Sequence, residues 1–192
     1  MRQIALISLG SNQLSFWGSS LETVQRAVAE LSVLGQGDVR VSRFYETPAF
    51  PKGIGPDFVN AAMQIETDLA PSELLAKLHA IEAEAGRERT VRWGQRTLDL
   101  DLLALGQVVS PDIDTYLSWH DLPPEAQKEQ APEELILPHP RLQDRAFVLV
   151  PLSKIAPNWR HPVLDRTVQE LCAALHSEQR AEVVPLDHAK TA

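Results

Sequence analysis

From Thr97 to Leu105 the chain reads Thr-Leu-Asp-Leu-Asp-Leu-Leu-Ala-Leu, with Leu98, Leu100 and Leu102 alternating with Asp99 and Asp101. A period of two sends successive side chains to opposite faces, so this is the pattern of a strand with one apolar face and both acids on the other. Two carboxylates so placed lie about 6 to 7 Å apart along the backbone. At that range they repel unless a cation lies between them. Hard oxygen donors favour Mg²⁺, which takes one or two protein carboxylates and completes its shell with water and substrate phosphates. Taken alone, the stretch is equally well a half-buried strand with a solvated polar face. Its neighbourhood favours the site: Arg87, Arg89, Arg92 and Arg96 precede the acids, opposed only by Glu88. Guanidiniums leading into two acids suit a polyphosphate held between arginine forks and metal ions.

Composition bounds what can be built around that strand. A chain of 192 residues that is 44% hydrophobic fills one domain, so residues 1–192 are read as a single unit. The net charge of -8 argues against a nucleic-acid partner. A lone cysteine, Cys172, rules out an internal disulfide and sits in an apolar helical setting. The apolar run from Ile4 to Leu9 is too short for a signal segment, and no membrane span is present, so a cytoplasmic protein is expected; it is taken to be a monomer.

Along the chain, Gln3 to Leu9 reads as an interior strand closed by Gly10-Ser11-Asn12, without the Gly-Lys-Ser/Thr of a P-loop. Ser19 or Ser20 caps a helix carrying Leu21, Val24, Ala27, Val28, Leu31 and Leu34, and Gly35 and Gly37 stop it. Val39 to Tyr45 is a second strand, Glu46 to Asp57 a long ordered loop and Phe58 to Thr67 a third strand. Pro71 opens a helix that Gly86 ends. After the acid-bearing strand, Gly106-Gln107 predicts a hairpin into Val108-Val109. Residues 110–134 hold four prolines and seven acids against one lysine, predicting a surface insertion with at most a short helix near Glu125. A helical or buried segment over Ala146–Val150, a last helix over Thr167–Leu175, an edge strand within 182–186 and a frayed tail at 187–192 complete the chain. The fold class is α+β, with a mainly antiparallel sheet covered by helices and long active-site loops. Its first elements run β-α-β-β-α-β, the ferredoxin-like order.

Gly10-Ser11-Asn12, Phe44-Tyr45-Glu46-Thr47-Pro48, the Asn60-Ala61-Ala62 strand, the run from Arg92 to Asp101, and Pro138-His139-Pro140-Arg141 with Arg145 and Phe147 together resemble the 6-hydroxymethyl-7,8-dihydropterin pyrophosphokinases of folate biosynthesis. The resemblance covers residues 3 to about 160, with five blocks in the right order. It implies transfer of the β,γ-diphosphate of ATP to the pterin hydroxymethyl group, with release of AMP. It also implies that Asp99 and Asp101 hold two Mg²⁺ ions, and that Arg87 and Arg96 serve the transition state. On the ATP side it implies Glu82, Arg89, Trp93, Arg96, His139 and Arg145. The pterin falls to Phe58 and Phe147 as the ring sandwich, Asn60 at its edge, Thr47, Pro48 and Phe50 as the wall, and Trp93 as a cover. Departures from the family pattern are Gln95 in place of a common proline, Phe58 in place of a frequent tyrosine, and the long acidic insertion. The competing reading is a noncatalytic pterin or nucleotide sensor on the same fold, which leaves the full set of acids and arginines without a purpose.

Overall fold

The structure, a computed structural model, describes residues 2–49, 53, 55–87, 96–123, 126, 130 and 132–186. In β1 (Gln3–Ser11), Ala5, Leu6, Ile7 and Leu9 are all fully inaccessible, so side chains of both parities are buried and the strand must lie inside the sheet. It pairs antiparallel with β4 (Phe58–Thr67) on one side and β5 (Asp99–Leu105) on the other. Beyond β4 come β3 (Tyr45–Thr47) and β6 (Val184–Pro185), while β2 (Arg40–Val41) also pairs with β4. The order β5-β1-β4-β3 is that of an antiparallel ferredoxin-like sheet, and the short β6 confirms the expected edge strand.

One face of the sheet carries Ile7, Leu9, Ala61, Met63, Ile65, Leu100 and Leu102, and buries them against two helices. The first, α1 (Ser20–Leu34), starts where Ser19 and Glu22 cap each other's backbone N–H groups, and turns Val24, Ala27 and Leu31 inward. The second, α2 (Pro71–Glu84), has proline at its first position, buries Leu74, Leu78 and Ile81, and is followed by Gly86 at φ +82°. The opposite face is covered only over part of its area, where Leu6, Ala62 and Leu103 meet α4 (Ala146–Leu152) and α5 (Val168–Ala174). The remainder of that face carries the site.

Four expectations are corrected. The strand expected over Val39–Tyr45 is broken between β2 and β3. There Ser42 donates its N–H to Ala62 O, but it is the Ser42 hydroxyl, not a backbone carbonyl, that accepts the Ala62 N–H, each at 2.9 Å. The hairpin into Val108–Val109 does not form. Val108 N–H closes a turn on Leu105 O, Ser110 and Leu137 exchange both backbone bonds, and the outer edge of β5 receives His139 N–H at Leu103 O instead. Besides the short helix expected near Glu125, which itself lies outside the described residues while Ala126 is helical, the insertion holds an eight-residue helix that was not expected, α3 (Ile113–His120), capped by the Asp112 carboxylate on Thr115 N–H. Its Tyr116 is fully buried and its hydroxyl meets His161 Nε2 at 3.1 Å, so a tertiary contact fixes this helix. Finally, the helix at the expected last position, α5, is followed by one more short turn, α6 (Ser177–Ala181).

Candidate active site

Strand β5 divides its side chains as its alternation requires. Leu98, Leu100 and Leu102 are at most 3% exposed, whereas the side chains of Asp99 and Asp101 are 19% and 30% exposed. Both acids are met by guanidiniums. Asp99 Oδ1 accepts from Arg87 at 2.7 Å, Asp99 Oδ2 accepts from Arg96, and Asp101 Oδ2 accepts from Arg145 at 3.3 Å. Arg87 also grips Glu82, a nearly inaccessible carboxylate of α2 whose Oε1 accepts the Leu100 N–H at 2.8 Å. Glu82 thereby ties helix, arginine and strand together. Burial disfavours the charge on Arg96, but Asp99, Asp101 and Glu82 outweigh it and hold its pKa above the ordinary value.

His139 stands in the turn that Pro138 and Pro140 frame. Burial first, and then the neighbouring positive charge of Arg145, push its pKa down to about 3, so its imidazole is neutral at physiological pH. Its Nδ1 accepts the Arg141 N–H at 3.0 Å, which leaves Nε2 as the protonated donor.

Glu82, Arg87, Arg96, Asp99, Asp101, His139 and Arg145 all line one cavity of about 590 Å³. A second cavity of about 410 Å³, between His120, Arg166 and His176, holds none of them and lies apart from the acids. Of the residues assigned to ATP and metal, Arg89 and Trp93 lie outside the described residues.

The described residues that the resemblance assigns to the pterin gather on the same sheet face. Asn60 is 3% exposed and donates from Nδ2 to Thr47 Oγ1 at 2.7 Å, across the β3–β4 pair that also sets Thr47 opposite Phe58. Pro48 is half-buried beside them, and Phe50 lies outside the described residues. Phe147 opens α4, half-buried, with the Arg145 guanidinium 5.7 Å from its ring centre. Gly10 joins the two halves, for it pairs with Asn60 on one side and with Asp99 on the other. Only a glycine leaves room there, since a β-carbon would stand 2.9 Å from Asn60 Oδ1.

One residue gained no role from sequence reasoning. Asn12, 5% exposed, accepts the Arg96 N–H at Oδ1 (2.9 Å), gives its own N–H to Arg96 O (3.1 Å) and donates from Nδ2 to Pro56 O (3.2 Å). It knots the approach to β5 to the approach to β4. Its place after Gly10-Ser11 was visible as a turn, but partners 84 and 44 residues away left no local signal.

Residues 6–157 match the sequence family described as 7,8-dihydro-6-hydroxymethylpterin-pyrophosphokinase. A relative named 2-amino-4-hydroxy-6-hydroxymethyldihydropteridine pyrophosphokinase from Synechocystis sp. is 39% identical over 170 residues, covering 87% of this chain and 73% of that protein. One of the same name from Pseudomonas aeruginosa is 38% identical over 175 residues, covering 91% and 93%. Among solved structures, the Plasmodium falciparum HPPK-DHPS triple mutant with SDX-DHP superposes with a TM-score of 0.60 at 16% identity, over 90% of this chain. This chain spans 44% of that longer one, and the likeness speaks for the fold alone. With the family match over most of its length and relatives of this identity and coverage, the chain belongs to the 7,8-dihydro-6-hydroxymethylpterin-pyrophosphokinase family.

Proposed function

We propose that this chain transfers the β,γ-diphosphate of ATP to the hydroxymethyl group of 6-hydroxymethyl-7,8-dihydropterin, a step of folate biosynthesis. The pterin alcohol oxygen bonds to the β-phosphorus, the bond from that phosphorus to the α,β-bridging oxygen breaks, and AMP departs with the oxygen. The alcohol proton passes to solvent, and no side chain is assigned as its base. The observation that carries this reading is the row Asn60–Gly10–Asp99, which sets the pterin-side amide and the first acid on one sheet face with a single glycine between them.

Asp99 and Asp101 fit Mg²⁺ by donor chemistry: they are two hard carboxylates on one face of β5. Such a set leaves the remaining positions to water and phosphate oxygens. When bound, Mg²⁺ supplies positive charge against what builds on the diphosphate and on AMP. Arg87, Arg96 and Arg145 pair with the acids, and the same guanidiniums would turn to the phosphates of bound ATP. The neutral His139 adds its Nε2–H as a donor that carries no charge to be desolvated. On the other side Phe58 and Phe147 supply aromatic faces for the flat pterin, and Asn60, Thr47 and Pro48 line its edge. Phe50, Arg89 and Trp93 are assigned to these two sides by the resemblance alone.

The test is a product assay with ATP, Mg²⁺ and the dihydropterin, separating AMP, ADP and diphosphate, run beside Asp99→Ala and Asp101→Ala. AMP that requires the pterin and falls at least 100-fold in both variants is the expected result, on the order of a lost metal-ion contribution. Tight binding of both substrates without AMP would instead identify a sensor.

A further inference from the structure

The cavity that holds the acids is also lined by residues outside the five sequence blocks that carry the resemblance. Leu75 and His79 come from α2, Trp119 from α3, and Glu133, Glu134 and Ile136 from the return of the insertion to the sheet. Leu75 precedes Glu82 by two helical turns, about 10 Å along the axis at 1.5 Å per residue. Its lining is therefore of two chemical kinds. One is Arg87, Arg96 and Arg145 around the acids; the other is an indole, an imidazole and aliphatic side chains, together with the exposed carboxylates Glu133 and Glu134. A triphosphate is drawn to the arginines and repelled by Glu133 and Glu134, which leaves the indole and the aliphatic lining for an uncharged, flat group.

Trp119 is held where it is. It lies one turn after Tyr116, which is fully buried, bonded to His161 and packed ring to ring against His120 and His161, with centres 5.8 and 5.5 Å apart. A helix pinned in this way presents its indole to the cavity without an ordering cost at binding.

We propose that Trp119, carried by the acidic insertion, is a specificity-determining residue that packs its indole against the purine of the nucleotide. The insertion is then part of the ATP site rather than a surface appendage. This rests on the assignment of ATP as co-substrate.

The test compares two Mg²⁺-bound probes by calorimetry on the full chain: an ATP analogue with a methylene between the α and β phosphates, and inorganic tripolyphosphate, which has no base. In Trp119→Ala the analogue is expected to bind about tenfold more weakly, in line with loss of one base–aromatic stack. Tripolyphosphate and pterin affinities stay within twofold, and Trp119→Phe recovers most of the loss. Equal weakening of both probes, no weakening of the analogue, or no recovery by phenylalanine overturns the proposal, and thermal melting identifies a variant that has merely unfolded. If the unaltered chain binds neither probe, the ATP assignment itself fails, a result separate from any of these.

Discussion

Replacing Gly10 by alanine separates the two halves of the site. A β-carbon there meets Asn60 Oδ1 at 2.9 Å and Phe58 Cδ1 at 3.8 Å, and among the described residues it meets no atom of Asp99 within 4 Å. Relief to an ordinary 3.4 Å contact requires the Asn60 amide to retreat, although that amide is buried and bonded to Thr47 at 2.7 Å. The strain of inserting a methyl into such packing is about 1 to 3 kcal/mol, and losing the amide hydrogen bond adds about 1 kcal/mol. Against this, replacing glycine restricts the unfolded chain and returns about 0.4 to 1 kcal/mol. The net destabilisation is thus about 1 to 3.6 kcal/mol, read from urea unfolding midpoints at unchanged slope. Because the strain falls on Asn60, the pterin dissociation constant should rise by about tenfold or more, at 1.4 kcal/mol per decade. Calorimetry with the pterin and with the Mg²⁺–ATP analogue reads the two sides independently. Pterin affinity left intact, or nucleotide affinity lost in equal measure, would refute the placement of Gly10 as a neighbour of the pterin side alone.

Asn12→Ala removes the acceptor of the Arg96 N–H and the donor to Pro56 O, and should cost about 2 to 3 kcal/mol; hydrogen exchange at the Arg96 amide should quicken, and unchanged exchange there would contradict the knot. Burial, then His120, depress the His161 pKa to about 4, below an unfolded value near 6.5. The neutral ring thus favours the fold above pH 6.5, and that stability is lost as pH falls from 6.5 toward 4, by at most about 3 kcal/mol. His161→Asn should flatten this slope in urea titrations across that window, and parallel slopes would count against it. Because arginines already balance Asp99 and Asp101, Mg²⁺ alone should bind at least tenfold more weakly than Mg²⁺ in the presence of the ATP analogue. Tight Mg²⁺ binding without nucleotide would remove the arginine-exchange step.

What could be read in advance was whatever the chain writes locally. The alternation of leucine and aspartate announced β5, the Ser19–Glu22 pair announced the start of α1, and Pro71 with Gly86 bracketed α2. Asp99, Asp101, Arg87 and Arg96 share one cavity for the same reason, since their spacing along one strand and its approach was written in the sequence. What escaped depends on partners distant in sequence. Ser42 interrupts a strand by putting its hydroxyl where a carbonyl was expected, which its β-compatible neighbours conceal. Tyr116 lies in a proline-rich acidic stretch that reads as surface, and only His161, 45 residues later, makes it core. Glu82 was placed toward the nucleotide, but the folding of β5 against α2 gives it the Leu100 N–H and Arg87 as well.

Asn60, Gly10 and Asp99 stand abreast on three adjacent strands, and adjacent strands are about 4.8 Å apart. The offset between the backbones of Asn60 and Asp99 is then about 9.6 Å across the sheet, two strand widths. That length is set by backbone hydrogen bonds and not by any side chain or loop. Changes in the loops cannot bring these two backbone positions closer. The sheet acts as a ruler: on the proposed function, a second strand inserted between those bearing Asn60 and Asp99 would abolish the reaction while leaving every named side chain in place.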